Sequence, residues 1–325
     1  MINSAFIPKF LESVNGCRKA LIVAHQFPDL DAVGSCLALK EFLEAQNIEC
    51  VIWFSQSLKK GFNVLDGVSV VKSKLPLNYD YDTLYVCDCS NLERVKESHL
   101  LTTTNKCVVN IDHHADNTLF GDINIVDTDI SSVGELLFYL FEGCDYTHTL
   151  STATNLYTAI CFDTGRFAFS NVTHETLHAA SICVKHGADP YAVYQFMEES
   201  KTVEDFALMK VAMDRLVTDD SAKIAYTTIP AKAPRGHVKV IDIIRQLGGY
   251  EVVVVFQELQ SKLIKINLRA KGDFDVSAFA QQFDGGGHKK AAGISFDDTL
   301  DRAISTLIPK LSTAIKEQDA GPSIS

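Results

Sequence analysis

The sequence lacks the features that mark a membrane or secreted protein. No apolar run approaches the roughly 20 residues that a membrane helix needs. The amino terminus, MINSAFIPKF, has no charged stretch followed by a long apolar segment, so we expect no secretory signal. None of the 9 cysteines forms a Cys-x-x-Cys pair and none follows residue 183, which favours reduced, buried thiols over disulfides or a zinc site. We expect a cytoplasmic protein without a membrane partner.

Basic residues are scarce as well. The chain has 30 Lys and Arg against 41 Asp and Glu, a net charge of −11, and no run of basic residues. Proteins that bind long DNA or RNA usually neutralise its phosphates with a basic face. We therefore expect no long nucleic acid as partner. A small anionic ligand would have to be held by metal ions, a few cations or glycine amides.

The 325 residues, 46% of them hydrophobic, suffice for two domains that each bury a core. Up to residue 190, strand-like apolar runs alternate with helical patterns, which predicts an α/β domain with a parallel sheet covered by helices. A charged helical connector is predicted over 191–217, and it could act as a hinge. Residues 218–317 are predicted to form a smaller α/β domain with a hairpin over 251–270, and 318–325 a loose tail.

Acidic residues and histidines recur where the predicted strands of the first domain end. Four chain segments carry them: His25, Asp29 and Asp31; Asp88; Asp112, His113 and His114; and Asp163. Because parallel strands deliver their carboxyl ends to one edge of a sheet, we expect these groups to meet there. Each has an ordinary alternative, such as a helix cap, a turn residue or a core histidine. These alternatives do not explain why four segments deliver such groups to one edge.

A centre of two divalent ions explains the whole set. Such ions lie about 3.5–4 Å apart, share a bridging carboxylate and clamp the attacking and leaving oxygens of a phosphoryl displacement. Asp29 and Asp31 can each face one ion, and Asp88 is suited to bridge them. Mixed imidazole and carboxylate ligands favour manganese over magnesium. Neighbouring histidines on an extended chain point to opposite faces, so at most one of His113 and His114 should reach a given ion.

The second domain contains the stretch DGGGHKKAAG, residues 284–293. Glycine amides can approach an anion closely, although a glycine triplet is more often a flexible turn. Beside a phosphate-handling centre we interpret the motif as a phosphate-binding nest. Its candidate binding residues are Gly285, Gly286, Gly287 and His288. Arg269 and Arg166 are further candidates for a phosphate, with a solvated surface residue as the alternative for each.

Several pieces of the sequence resemble the motifs of DHH phosphoesterases that carry a DHH-associated C-terminal domain. In chain order they are AHQFPDLDAVGS, VCDCS, NIDHHADNTLFGDINIVD, CFDTGRF and GGGHKKAAG. The likeness covers most of the chain, and it looks most like the bacterial nanoRNase/pAp phosphatase group. Two departures stand out. Leu30 separates the paired acids where the family usually has glycine, and Asn267-Leu268-Arg269-Ala270 stands where Ser-x-Arg-Ser is common, which bears on substrate preference.

The resemblance implies a manganese-dependent phosphohydrolase that cleaves di- to pentanucleotides and pApA to 5′-mononucleotides and dephosphorylates pAp. It implies two ligand sets: His25, Asp29 and Asp88 for one ion, and Asp31, Asp88, His113 and Asp163 for the other. His114 would contact the substrate phosphate, and Asp112 would orient the histidines. Asp31, Asp88 and His113 complete the predicted catalytic set. The glycine motif with His288 and Arg269 would hold the far end of the substrate, and a homodimer is a family-level expectation.

Other functions remain open at this stage. A stand-alone cyclic di-AMP phosphodiesterase would share the metal centre and the glycine motif. A pyrophosphatase or polyphosphatase usually carries a basic Arg-Lys-Lys-type stretch in its second domain, and a processive exonuclease is disfavoured by length and charge. A non-catalytic nucleotide sensor would have lost metal ligands, whereas all six are present here.

Overall fold

A computed structural model of the chain describes residues 3–58, 62–74, 79–102 and 106–319. The chain divides into two units, Met1–Glu199 and Ser200–Ser325. The predicted connector is split between them, because one of its helices packs in each unit. Val193 is buried in the core of the first unit, and Leu208 and Ala212 are buried in the second. Residues 320–325 of the predicted tail lie outside the described residues, and Gln318 and Asp319 belong to the last helix.

The first unit is built on a parallel five-stranded sheet with the order β2-β1-β3-β4-β5. Its strands are β1 Lys19–Ala24, β2 Glu49–Ile52, β3 Thr83–Cys87, β4 Cys107–Asp112 and β5 Ile123–Val126. Its helices are α1 Phe6–Asn15, α2 Leu30–Ala45, α3 Ser98–Leu101, α4 Val133–Glu142, α5 Leu150–Asp163, α6 His174–Lys185 and α7 Pro190–Glu198. The predicted parallel sheet is confirmed, whereas α1 and α5 were not predicted.

Alternation of side chains along β1 shows why both faces of this sheet are covered. Ile22 and Ala24 point into the larger core, which also contains buried residues of α1, α2, α4, α5 and α6. Leu21 and Val23 point into a smaller core on the opposite face, together with Trp53. The strand order reverses direction between β1 and β3, so the chain leaves these neighbouring strands towards opposite sides. Open parallel sheets bind their ligands in the crevice at such a point.

The second unit contains a mixed six-stranded sheet with the order β10-β11-β9-β8-β7-β6. Its strands are β6 Val217–Asp219, β7 Ile224–Ile229, β8 Val252–Gln260, β9 Leu263–Ala270, β10 Gly286–His288 and β11 Ala291–Phe296. Its helices are α8 Val203–Asp214, α9 Val240–Ile244, α10 Val276–Gln281 and α11 Leu300–Asp319. The predicted hairpin is confirmed as β8–β9, in which Val252 pairs with Ala270.

The sequence pattern predicts a helix over 238–247 and a last helix over 300–316 that Pro309 kinks or splits, and both predictions need correction. The helix expected over 238–247 is confined to α9, because only Val240, Ile241 and Ile244 are buried against the sheet. Pro309 was expected to kink or split the last helix, but α11 continues through it from Leu300 to Asp319. Leu307, Leu311 and Ile315 lie on the buried side of α11. Packing of this apolar face keeps the helix unbroken although proline removes one of its backbone hydrogen bonds.

None of the described helices combines the length and the apolar composition that a membrane span requires. All nine cysteines carry free thiols, and seven of them are buried.

Candidate metal centre

The four predicted segments meet at the carboxyl edge of the parallel sheet. His25 follows β1 directly, Asp88 follows β3, and Asp112 is the last residue of β4. Asp163 was grouped with the strand ends, but it is the last residue of helix α5. This part of the interpretation is corrected: three of the segments follow or end strands, and the fourth ends a helix. The helix could not be recognised by an apolar stripe, because α5 is buried on most sides and includes the buried polar residues Asn155 and Thr158.

One group of possible ligands consists of His25, Asp29 and Asp88. A donor atom from each lies within 4.8 Å of the other two. The His25 Nε2 atom is 3.7 Å from Asp88 Oδ2. Asp29 is the N-cap of α2 and accepts a hydrogen bond from the amide of Ala32 at 3.1 Å. The helix-cap alternative for Asp29 therefore holds, and the same carboxylate also belongs to the cluster.

A second group consists of Asp31, His113 and Asp163, again with donor atoms within 4.8 Å of one another. His113 Nε2 lies 3.2 Å from Asp163 Oδ2 and 3.9 Å from Asp31 Oδ2. The same nitrogen is 3.6 Å from Oδ1 of Asp88. Asp88 therefore directs one oxygen towards the first group and the other towards the second.

Both histidines of the pair approach this shared carboxylate, which corrects the expectation that they point apart. His114 Nδ1 is also 3.6 Å from Asp88 Oδ1, and the two imidazole rings have centroids 4.7 Å apart. The alternation rule does not apply because β4 ends at Asp112, so the histidines lie in the loop that follows. Asp88, His113 and His114 accordingly form a third group of possible ligands. The division of roles between the two histidines stays a prediction.

Asp88 is buried in a position that is unfavourable for both its side chain and its backbone. It is 3% exposed, and its Oδ1 atom accepts no hydrogen bond from the described residues. Its backbone is left-handed, with φ 54°, which is uncommon for residues other than glycine. A buried acceptor without a hydrogen bond costs about 1–3 kcal/mol unless something compensates for it, and the nearest histidine nitrogens, at 3.6 Å, are too distant to donate one. A bound cation would supply that compensation.

Asp31 is held rigidly by the start of helix α4. It is fully buried and accepts hydrogen bonds from the amides of Val133 at 2.8 Å and Gly134 at 2.9 Å, and from the Ser35 hydroxyl at 3.0 Å. A Cβ atom at Gly134 would lie 2.5 Å from Cβ of Ala159 in α5. Glycine therefore allows α4 to approach closely enough for its amides to reach Asp31. The positive end of a helix also favours a carboxylate at this point.

The pKa values of the cluster reflect several carboxylates crowded together at a buried site. Burial, followed by the charges of Asp88 and Asp163, raises the pKa of Asp29 to about 6. The same causes raise the pKa of Asp31 well above its usual range. Burial alone would lower the pKa of His113, but its hydrogen bond to Asp163 and the neighbouring carboxylates outweigh burial and raise it to about 10. The metal-free cluster thus retains protons that a divalent ion would displace.

A network missed by sequence reasoning fixes His114. Its Nδ1 atom lies 2.7 Å from Asp112 Oδ1, and Asn117 donates a 2.6 Å hydrogen bond to the other oxygen of that carboxylate. Asn117 also lies 3.3 Å from the side-chain oxygen of Asn110, a fully buried residue of β4. The hydrogen bond to Asp112 is the main cause that raises the pKa of His114. Asp112 therefore contacts His114, and Asn117 in turn contacts Asp112.

The residues present fit two divalent metal ions. Imidazole nitrogens and carboxylate oxygens are ligands of manganese and related ions. Asp88 links the two groups, and its unpartnered buried oxygen needs a cation. His25, Asp29 and Asp88 would hold one ion, and Asp31, Asp88, His113 and Asp163 the other.

The candidate substrate residues of the second unit lie partly in a regular strand. Gly286, Gly287 and His288 form the edge strand β10, which pairs with β11 before the turn at Lys289 and Lys290. The interpretation of the triplet as a nest is therefore corrected: pairing with β11 extends the backbone. Gly287 has φ 149°, and a Cβ there would lie 2.3 Å from the Ala291 carbonyl, whereas a Cβ at Gly286 would meet nothing within 4 Å.

Arg269 and His288 project from the same face of this sheet. Arg269 pairs with Ala291 across β9 and β11, and Ala291 pairs with His288 across β11 and β10. Residues directly opposite each other in antiparallel strands share a face. Gly285 precedes this strand, and a Cβ there would lie 2.5 Å from the carbonyl of Gly293.

Arg166, in the first unit, is engaged by a carboxylate. Its Nη1 atom lies 2.5 Å from Oε1 of Glu198, and Gly165, Arg166 and Phe167 all have left-handed backbones. Its predicted contact with substrate stays a prediction, and its pairing with Glu198 would compete with that contact.

Comparison with known proteins agrees with this geometry. The model of the DHH family, N-terminal domain, matches residues 19–162, and the model of the DHHA1 domain matches residues 221–317. The chain therefore contains a DHH-family N-terminal domain followed by a DHHA1 domain, so the resemblance stated from the motifs is confirmed.

Among its relatives, the chain is 27% identical to "Bifunctional oligoribonuclease and PAP phosphatase NrnA" of Bacillus subtilis, over 87% of this chain and 91% of the relative. It is 28% identical to the protein of the same name from Thermus thermophilus, over 95% and 94%. It is 25% identical to "Cyclic-di-AMP phosphodiesterase PdeA" of Listeria monocytogenes, over 91% of this chain but 48% of that protein. An exopolyphosphatase-related protein from Bacteroides fragilis shares the fold, with a TM-score of 0.87 at 24% identity over 98% and 99% of the two chains.

Proposed function

We propose that this protein is a manganese-dependent phosphohydrolase that degrades very short oligonucleotides to 5′-mononucleotides and dephosphorylates pAp to AMP. The observation that carries the proposal is the shared carboxylate of Asp88, which faces two groups of possible ligands and has one buried oxygen without a hydrogen bond. The two NrnA relatives support the substrate class, because this chain matches them over nearly their whole length.

When bound, two divalent ions would lower the pKa of water and stabilise the attacking and leaving oxygens of an in-line displacement at phosphorus. His25, Asp29, Asp31, Asp88, His113 and Asp163 would hold them. The protein's own contribution is a rigid cluster that already holds the required negative charge before substrate arrives. Asp31, fixed by the amides of α4, cannot rotate away from its position.

His114 is proposed to bind the substrate phosphate. Asp112 engages its Nδ1 atom, so Nε2 is the ring nitrogen left to donate a hydrogen bond to the phosphate. Asp112 and the nearby Asp88 both raise the pKa of His114 and favour the protonated ring. A protonated imidazole pairs well with a phosphate oxygen whose charge grows during the reaction.

We propose that the second unit also carries substrate-binding residues. Arg269 and His288 share one face of its sheet, and β10 places Gly286 beside them. Arg166 and the remaining glycines of the motif, Gly285 and Gly287, complete the set proposed from the sequence. The net charge of −11 opposes binding of long strands and so favours short substrates.

A cyclic di-AMP phosphodiesterase is the second candidate, because the chain is also similar to PdeA. The chain spans about half of that protein, whereas it matches the NrnA relatives almost end to end. We therefore place the linear short substrates first. A cytoplasmic location and a homodimer are further expectations of the proposal, and sedimentation analysis would test the second.

The proposal is tested by a chromatographic panel with Mn²⁺, Mg²⁺ or chelator. Its substrates are pApA, pAp, cyclic di-AMP, a long single strand and pyrophosphate. We expect Mn²⁺-dependent release of AMP from pApA and from pAp, and no activity after chelation. Faster turnover of cyclic di-AMP would favour the second candidate. Preferential turnover of the long strand or of pyrophosphate would refute the short-nucleotide proposal.

A further inference from the structure

A large aromatic side chain lies exposed within the metal-binding segment. Phe27 follows His25 by two residues and precedes Asp29 by two, and 66% of its surface is exposed. Single exposed apolar residues are common and need no explanation on their own. This one is placed between two proposed metal ligands, in a loop whose backbone is tied down.

Arg94 fixes the backbone of this loop by a hydrogen bond and adds a positive charge. The amide of Gln26 donates a 2.8 Å hydrogen bond to the carbonyl of Arg94, and the amide of Arg94 is capped by the Asn91 side chain at 3.1 Å. The loop that carries Phe27 is therefore attached directly to Arg94, six residues after Asp88. Phe27 and Arg94 lie in the segments that follow β1 and β3, and the same segments supply His25 and Asp88.

The guanidinium of Arg94 is only partly engaged. Its Nη1 atom lies 3.3 Å from the Ser90 hydroxyl, and no carboxylate among the described residues pairs with it. An arginine has five N–H donors, and a half-buried one without an anionic partner is costly. Arg166 differs in this respect, because Glu198 already neutralises it. Arg94 is thus available to an incoming phosphate.

A third feature at the same edge supports a ligand site. Leu119, in the loop after the histidine pair, is 59% exposed although its backbone is left-handed, with φ 52°. This conformation is unfavourable for a branched apolar residue. The neighbouring Thr118 donates a 2.8 Å hydrogen bond to the carbonyl of Ser90, so this loop is fastened to the segment that carries Arg94. Phe27 and Leu119 therefore lie in two loops that are both hydrogen-bonded to the segment 90–94, which carries Arg94.

We propose that Phe27 and Arg94 form a nucleotide subsite beside the metal centre, in which the Phe27 ring stacks on a nucleobase and Arg94 binds a phosphate oxygen. Base stacking on an aromatic ring tolerates any sequence, because every base has a π face. The subsite makes the first unit selective for nucleoside phosphates over phosphates that lack a base. The inference rests on the proposed function, since it names the substrate part that is held next to the metals.

The test measures binding rather than turnover, so it remains informative if the proposed reaction is wrong. Calorimetry on the Mn²⁺-loaded full chain would compare AMP with ribose 5-phosphate, which lacks the base. We expect Phe27→Ala to weaken AMP binding about tenfold, equivalent to about 1.4 kcal/mol, and to leave ribose 5-phosphate unchanged. Phe27→Tyr should restore the preference for AMP. Arg94→Gln should weaken both ligands by a similar factor.

Phe206→Ala is the matched control. Phe206 lies in the second unit and is 60% exposed, so this change removes the same side chain at nearly equal exposure. It should leave both affinities unchanged. Equal AMP binding by wild type and Phe27→Ala would overturn the stacking role, as would equal loss of AMP and ribose 5-phosphate in that variant. Absence of pApA hydrolysis by the wild type, with the AMP preference intact, would refute the proposed reaction but keep the subsite.

Discussion

Replacing Asp88 by asparagine separates metal binding from folding. The amide preserves the size of the side chain and tolerates the left-handed backbone at this position, but it removes the negative charge. The charge of Asp88 is, after burial, the largest cause of the raised pKa values of Asp29 and Asp31. The variant should therefore bind the metals more weakly, whereas its metal-free form should be more stable than the metal-free wild type.

We expect two separate increases in thermal stability. One follows from the substitution in the metal-free protein, and the other follows from Mn²⁺ binding to the wild type. Relief of a buried, unpartnered acceptor is worth about 1–3 kcal/mol. For a unit of this size, each kcal/mol shifts Tm by about 2–4 °C, so the metal-free Asp88→Asn variant should melt about 2–12 °C above the metal-free wild type. In the wild type, an ion at a hundred times its Kd stabilises by about 2.7 kcal/mol. Mn²⁺ should accordingly raise the Tm of the wild type by about 5–11 °C.

Differential scanning calorimetry with chelator and with Mn²⁺ measures both effects. Asp116→Asn is the matched control, because Asp116 is an exposed carboxylate in the same motif and belongs to none of the ligand groups. It should show the full Mn²⁺ shift, whereas Asp88→Asn should show little or none. A full shift in Asp88→Asn would refute the assignment of Asp88 as the bridge. A lower Tm of metal-free Asp88→Asn than of metal-free wild type would refute the claim that Asp88 Oδ1 is an unsatisfied acceptor.

Three further predictions follow from the geometry of the two units. His113→Ala should lose bound metal, whereas His114→Ala should retain it and lose turnover, as measured by elemental analysis beside kinetics; the reverse result would exchange their roles. Burial and nearby carboxylates raise the pKa of Asp29 from 3.8 to about 6. The stability that protonated Asp29 contributes to the metal-free protein is therefore present below pH 3.8 and lost as pH rises through 6. Urea titrations across this range should show the decline, and Mn²⁺ should oppose it. Gly286→Ala should leave the melting temperature within about 1 °C of wild type, because its Cβ meets nothing within 4 Å, but it should reduce turnover. Gly287→Ala should instead destabilise the fold by about 1–3 kcal/mol. Normal activity of a folded Gly286→Ala variant would exclude the glycine motif from the substrate site.

Much of the first unit could be predicted because its sequence pattern has local causes. Apolar runs such as LYVC and CVVNI are buried on both faces of a parallel sheet, and such strands are continuous in hydrophobicity. Helix α5 escaped prediction because it is buried among other helices and includes polar residues such as Asn155, whose side chain bonds to the backbone of Asp66. No periodic stripe marks a helix that packs on several sides.

The sequence by itself determined the fold class, the order of the segments that carry acids and histidines, and the family to which they belong. Only the tertiary structure decided how these groups meet. It placed Asp163 on a helix end, turned both histidines towards Asp88, and extended the glycine triplet as an edge strand. It also singled out Phe27, Arg94 and Asn117, whose meaning depends on neighbours far away in the chain. Hydrogen bonding, burial and charge at a site arise from several segments at once, so no single segment can predict them.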